Sequence, residues 1–485
     1  MNRQIGRRQF LAGAAIVAFD PVGRTWRTAA HAATSCDVSI PGLDGELLVD
    51  ADSLAAAADD FGHIVSQAPV AVLRPGSVDD VRALVRFACR HRVPIAMRGQ
   101  GHTTYGQAQA AAGVVIDSRT LNSIHEIGAD YAVVDAGVTW GDLLRSATAY
   151  GLAPPVLTDY LELSIGGVLQ AGGVGGHANR LGLVADQVRE LDVVTGRGQL
   201  VRCSASQHAD LFHAVMGGVG QCGIIVRAVV ALAPAATNAR VYQLVYSDIH
   251  QYIADQERVS GDARFDYLEG QVVPAPGGGW QFLLEAASYY TPPASPDDGA
   301  LLSDLSPDGP VSVDEYTFFD WQNRLEPVVE FLKQAGLWTL PHPWIDLFVP
   351  GSQVTSFVSG VLQTLTTADT GNGPILLYPF QRAHLTRPFI RVPDEPTVYL
   401  FSILRTAPAD PAVVDAMVAA NRAIFEQARG VGATWYPIGA VGLARTDWIA
   451  HFGAAWGAFA SAKAKYDPKR LLAPGQGIFP SPSGC

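Results

Sequence analysis

The chain has 485 residues, 48% of them hydrophobic and 16% charged, a balance that excludes disordered, low-complexity and fibrous classes. As a soft prior this length allows about three domains. With 34 Lys and Arg against 46 Asp and Glu, the net charge is −12, and no nucleic-acid partner is expected.

Arg7 and Arg8 precede an apolar run over residues 11–19, followed by the small-residue site Ala30-His31-Ala32. That layout predicts a twin-arginine signal over residues 1–32 and a periplasmic or secreted protein. The run is too short to span a bilayer, and no later stretch reaches about 18 uninterrupted apolar residues. No membrane partner is expected. Cys36, Cys89, Cys203, Cys222 and Cys485 are odd in number and widely spaced, which fits neither a disulfide framework nor a zinc site.

Residues 37–240 read as short strands mixed with helices. Ser77-x-x-Asp80 caps a helix in which Val81, Leu84, Val85 and Ala88 recur at helical spacing. Thr139-x-x-Asp142 caps another. Strands are predicted over residues 70–73, 94–97, 114–116, 132–134 and 223–232, with a hairpin over 191–202. The elements lack a steady βαβ rhythm, so an α+β fold is expected. Residues 241–435, richer in aromatics and proline, read as a second domain. It has strands over 280–287 and 398–404, helices over 318–334 and 411–428, and a surface loop over 292–310. Residues 436–485 form a C-terminal segment with a helix ending near Lys465 and a turn at 474–476.

Two glycine-rich loops carry the candidate chemistry. The first is Arg98-Gly99-Gln100-Gly101-His102-Thr103-Thr104-Tyr105-Gly106-Gln107, directly after a strand. Its glycines let backbone N–H groups approach an anion such as a pyrophosphate, although it lacks the Lys-Ser/Thr of a P-loop. His102 either faces what the loop holds or is a satisfied surface histidine. The second loop starts at Ser164 and places seven glycines between Gly166 and Gly182. Its formal match to a dinucleotide fingerprint lacks the surrounding βαβ unit, so a Rossmann site is rejected. Asp159 is either a cap or a functional carboxylate. Glu285, in an apolar strand, is either solvated or turned inward. No G-x-S-x-G, H-E-x-x-H or metal-spaced His/Cys cluster is present, and no metal is expected.

The first loop with Gly113-Val-Val-Ile-Asp117 resembles the flavin-linkage region of cytokinin dehydrogenases, FAD enzymes of the vanillyl-alcohol-oxidase class. The likeness continues through Thr158-Asp159-Tyr160-Leu161, Gly166-Gly167, Phe265-Asp-Tyr-Leu-Glu-Gly270, His342-Pro-Trp344, Tyr378-Pro379 and Pro474-Gly475-Gln476, covering nearly the whole chain. The resemblance implies a two-domain FAD-binding fold with a separate α+β substrate domain. It implies FAD bound covalently to His102. Arg98, Gly99, Gln100, Gly101, Thr103, Gly106 and Gln107 would lie along the flavin, with Asp159, Gly166, Gly167, Gly172, Ile224 and Gln476. It further implies that Asp159 is the catalytic base and Glu285 its acidic partner. The substrate would be an N6-substituted adenine and the electron acceptor a quinone or oxygen. Three positions depart from the family pattern: Leu385 stands where a tryptophan is expected, Asp346 replaces an asparagine, and His177 lies in the second loop. An oxidase of another amine, or of an alcohol or sugar, would keep the same fold and flavin.

Overall fold

Val81, Leu84, Val85 and Ala88 are fully buried on one face of a helix, Val78–His91, whose first turn is capped by Ser77 Oγ accepting from the Asp80 amide. That helix is the crossover of a parallel unit. Ala71–Arg74 and Ile95–Arg98 flank Val114–Asp117, both parallel to it, and Glu46–Leu48 closes the edge antiparallel. A single βαβ crossover therefore exists in a chain that otherwise lacks the rhythm. The computed structural model describes residues 42–479. It also gives the backbone of three short strands, Ile16–Asp20, Thr25–Thr28 and Val38–Ser39, which form a sheet of their own. The rest of the 1–32 segment read as a signal, with Cys36 and Cys485, lies outside the described residues.

A five-stranded antiparallel sheet follows, ordered Leu200–Ser204, Val188–Val194, Ile224–Ala231, Tyr131–Asp135, Ile124–Ile127. The predicted hairpin is its edge, pairing Leu191 with Cys203. The third sheet has eight strands. Its centre runs Asn238–Tyr246, Trp280–Tyr290, Tyr267–Pro274, Ile375–Gln381, Thr397–Ile403, Ile345–Pro350. Both sheets and the helices covering them share the largest apolar core, which includes Trp140, Phe212, Tyr252 and Trp448. The fold is α+β, with the first glycine loop following Ile95–Arg98 of the four-stranded sheet and the second around the helix Ile165–Ala171, which packs on Ile224–Ala231 of the five-stranded sheet. Among the described residues no helix is long and apolar enough to cross a membrane, and Cys89, Cys203 and Cys222 are free thiols.

Two expectations are corrected. Residues 318–334 are not one helix but two, Phe318–Gln322 and Glu326–Gln334. Pro327 in the first turn of the second helix has no N–H to give and a ring that collides with the preceding turn, so the first helix must stop. Arg324 sits in the break and faces the eight-stranded sheet through Glu269 and Glu285. Within the 292–310 loop, Asp298–Leu302 forms one helical turn, capped by Asp297 accepting from the Ala300 amide.

Candidate functional site

The first glycine loop is shaped from beneath by a residue the sequence did not single out. Asp60 is buried and accepts hydrogen bonds from the Gly106 amide at 2.6 Å, the Gly62 amide at 3.1 Å and Thr103 Oγ1 at 3.2 Å. Burial pushes its carboxyl up to about 6 against the pull of these donors and of Arg98. Gly101 has φ 69°, and a Cβ there would lie 2.4 Å from Arg98 Nη2. Gly99 leaves no room either, since its Cβ would sit 1.9 Å from Ser164 Oγ, the residue that opens the second glycine helix. Ser164 thus wedges the two loops together.

Between them lies a cleft of about 1230 Å3, its open mouth included. Of the predicted residues, Gly99, Gln100, Gly101, His102, Thr103, Gln107, Gly166, Gly167, Ile224 and Gln476 line it. Arg98, Gly106, Gly172, Asp159 and Glu285 do not. Arg98 donates to the Asp59 carbonyl, Gly106 serves Asp60, and Gly172 ends the helix Ile165–Ala171. The lining also holds Ser118, Thr158, Ser164, Gln170, Val219, Gly220, Tyr436 and Ala473, but no Asp, Glu, Lys or Arg and no Cys. A long neutral cleft in a chain of charge −12 suits a ligand whose anionic centre is held by backbone amides and hydroxyls. At Gly167 an added Cβ would meet only Ser164 Oγ, at 2.9 Å, so a side chain there would enter the cleft. These residues fit a dinucleotide flavin, and His102 is the one imidazole side chain in a lining that holds no Cys.

His102 stands in an aromatic enclosure. Its ring stacks on Phe61 at 4.1 Å, and the other face of Phe61 stacks on His342 at 4.1 Å and 7°. Tyr160, Trp344 and Trp338 lie at 5.0, 5.5 and 5.8 Å. Desolvation, helped by His342, lowers the His102 imidazole to about 3, so it is neutral across physiological pH.

A second constellation lies just beyond Thr158. Arg324 Nη2 donates to Asp159 Oδ1 at 3.1 Å and to Glu269 Oε2 at 2.8 Å. Its Nε is 3.6 Å from Glu285 Oε1, and Glu285 Oε2 accepts from Gln243 Nε2 at 3.0 Å. Tyr267 Oη contacts Asp159 Oδ1 and, at 2.5 Å, Glu269 Oε2. The guanidinium stacks on Tyr267 and Trp321, 4.7 and 4.4 Å from the ring centres. Sheet register builds this array. Gln243, Glu285 and Glu269 are direct neighbours across three strands, and Tyr267 shares Glu269's face two residues earlier. Burial and the neighbouring Asp159 push the Glu269 carboxyl up to about 8. The structure thus brings Asp159 and Glu285 into one cluster, but Glu269, not Glu285, shares donors with Asp159. Glu269 lies in the segment Phe265-Asp-Tyr-Leu-Glu-Gly270 that carries the resemblance, but no alternation of apolar and polar residues marks it.

The departures have clear places. Leu385 packs on the main core after the turn Arg382–His384 and does not line the cleft. His177 is buried, with Nε2 2.9 Å from Tyr289 Oη and its ring edge-on to Tyr267. Asp346 is buried beneath the cleft-lining segment that begins at Tyr436, whose amide donates to the Asp346 carbonyl. Burial pushes the Asp346 carboxyl up to about 7, against a smaller lowering by Ser402. The folded chain therefore holds a proton there that the unfolded chain releases near pH 3.8, and stability is lost as pH rises from about 4 through about 7. Asp346→Asn should remove that loss. Denaturant unfolding should show a gain on the order of 4 kcal/mol at about pH 8 and almost none near pH 4. Equal gains at both pH values would place the effect elsewhere.

Comparison with known proteins agrees with this architecture. A family profile described as an FAD binding domain matches residues 69–204. One described as "Cytokinin dehydrogenase 1, FAD and cytokinin binding" matches residues 278–479. The cleft and the separate sheet domain define an FAD-binding oxidoreductase. The chain is 38% identical to cytokinin dehydrogenase 5 of Oryza sativa subsp. japonica, over 90% of this chain and 92% of that protein. It is 34% identical to cytokinin dehydrogenase 2 of Arabidopsis thaliana, over 90% and 94%. It is also 40% identical to the uncharacterized oxidoreductase ORF5 in the fasciation locus of Rhodococcoides fascians, over 87% and 96%. The chain belongs to the cytokinin dehydrogenase family.

Proposed function

We propose that this enzyme oxidises N6-alkenyl adenines at the carbon beside the exocyclic secondary amine, giving an imine that hydrolyses to adenine and an aldehyde. The observation that carries the reading is the buried Asp159–Tyr267–Glu269–Arg324 array next to a cleft suited to FAD. Bound FAD supplies a hydride acceptor, at its N5. Losing hydride from carbon next to nitrogen builds positive charge on the substrate. Asp159 accepts the amine proton and offsets that charge in a largely buried site. Glu269 keeps its own proton, so the array does not carry two adjacent uncompensated anions.

His102 anchors the flavin covalently in this reading. Its neutral ring has a free lone pair, and Phe61 fixes its plane. A covalent anchor prevents cofactor loss after export by the twin-arginine route, which we also propose. The electron acceptor is a quinone or oxygen.

The test uses the purified full chain. Wild type should stay yellow after acid precipitation, and N6-isopentenyladenine should bleach it anaerobically, whereas benzylamine or glucose should not. His102→Ala should release any flavin into the acid supernatant. Bleaching by the simple amine or the sugar alone would replace the substrate class; acid-stable flavin in His102→Ala would move the anchor.

A further inference from the structure

Tyr267 Oη has a single hydrogen, yet it lies in hydrogen-bond contact with two carboxyl groups, those of Asp159 and Glu269. One of them must carry a proton for the array to close. The arrangement is otherwise symmetric: both face the same phenol and the same guanidinium nitrogen, Arg324 Nη2. What breaks the symmetry is surroundings. Glu269 is 5% exposed and stands in the row with Glu285, whereas Asp159 lies on the loop beside cleft-lining Thr158.

Arg324 is held in place by every element around it. The break before Pro327 frees its backbone from either helix. Tyr267 and Trp321 stack on its guanidinium, and three carboxyl groups from three separate segments surround it. The ionisable groups that face it are Asp159, Glu269, Glu285 and Tyr267, with Tyr378, Tyr289 and His177 further out. Arg324 is the only cation among them at neutral pH, since desolvation lowers His177 to about 3.

We propose that Arg324 is a positioning residue for the reaction described above: by pairing with Asp159 and Glu269 at once, it holds Asp159 as the anion of the two and aims its free oxygen at the substrate. The proposal rests on the assignment of Asp159 as base. Burial disfavours a cation at this place, but the phenol and carboxylates outweigh it and hold the guanidinium well above its ordinary range. Remove the guanidinium, and the largely buried carboxylates of Asp159 and Glu285 are left without a counter-charge beside the protonated Glu269. The cheapest response is protonation of Asp159, which abolishes a base without moving an atom of it. Lysine keeps the charge but is a point donor without the planar fork, so it can serve one carboxylate well and not two.

Two measurements test this. In anaerobic stopped flow with N6-isopentenyladenine, Arg324→Met should reduce flavin about 10²- to 10³-fold more slowly than wild type at neutral pH, with part of the loss recovered as pH rises. Its acidic limb should move up by at least about one pH unit, and Arg324→Lys should restore that limb while recovering only part of the rate. An unaltered profile, merely scaled down, would mean that Arg324 only supports the fold and would overturn the proposal. Infrared spectroscopy needs no substrate. Wild type at neutral pH should show a protonated-carboxyl band that Glu269→Gln removes, and Arg324→Met should show an additional one that Asp159→Asn removes. Absence of the additional band would also overturn the proposal. Should N6-isopentenyladenine fail to reduce the wild-type flavin while the infrared bands behave as stated, the substrate assignment falls and the role of Arg324 stands.

Discussion

Asp159→Asn should slow flavin reduction by an N6-alkenyl adenine about 10²- to 10⁴-fold while flavin content stays unchanged. Asparagine keeps the side chain's size and one acceptor. It can still contact Tyr267 and Arg324, so the cluster should hold together. It cannot take a proton. The Asp159 side chain is largely buried, between a phenol and a guanidinium. Glu269 cannot replace it at neutral pH, because it already holds a proton. Substrate binding should change less than the rate, since an amide oxygen still accepts the N–H hydrogen bond. Near-wild-type reduction in anaerobic stopped flow would remove Asp159 from the chemistry and leave it a partner of Tyr267 and Arg324.

The parts of this site that could be read from the sequence are those built locally. Ser77 and Thr139 are followed three residues on by aspartates, and both hydroxyls do accept from those amides, at 3.3 and 3.0 Å. The glycine loops announced themselves by composition, and the wedge of Ser164 between them explains why glycine is required at Gly99. Asp60 could not be found that way. Two of its three donors, Thr103 and Gly106, lie more than 40 positions later, brought to it by the sheet that orders Ala71–Arg74 beside Val114–Asp117. Glu269 and Arg324 were hidden for the same reason. A row of one amide and two carboxyl groups across three strands depends on register, and register depends on turns and on which face is buried. Pro327, by contrast, was in plain view, and a helix drawn through it over residues 318–334 ignored a local rule. The cost of that reading was Arg324, which sits in the break. Asp159 as a base came only from the resemblance; the residues alone left it either a cap or a functional carboxylate, and its side chain bonds Tyr267 and Arg324.

The largest effect on stability is expected far from the reacting atoms, at Lys463. Its side chain is 2% exposed and Asp467 is fully buried, with Nζ 2.9 Å from Oδ2. All three ammonium hydrogens have acceptors: Asp467, the Gln221 carbonyl at 2.9 Å and the Leu472 carbonyl at 3.1 Å. Asp467 Oδ2 in turn accepts from the Leu472 amide, and Gln221 Nε2 donates to the Ala473 carbonyl. Leu472, Ala473 and Gln476 line one wall of the cleft, and Val219 and Gly220 line another. The ammonium therefore clasps the C-terminal segment to the loop that precedes strand Ile224–Ala231. Desolvation lowers the Lys463 ammonium, and Asp467 opposes that. Lys463→Met fills the same volume but leaves Asp467 as a buried anion without its counter-charge, and two carbonyls lose a donor. Breaking a buried pair from one side typically costs about 3–5 kcal/mol. Denaturant unfolding of the full chain should show that loss as a lower midpoint with an unchanged slope. Adding Asp467→Asn to Lys463→Met should recover a substantial part, because the amide still accepts from Leu472 without a charge to bury. A loss below about 1 kcal/mol for Lys463→Met, or no recovery in the double variant, would show that the clasp is held by the chain's backbone contacts, such as the Ala473 amide to the Ile95 carbonyl at 2.8 Å, and not by the ion pair.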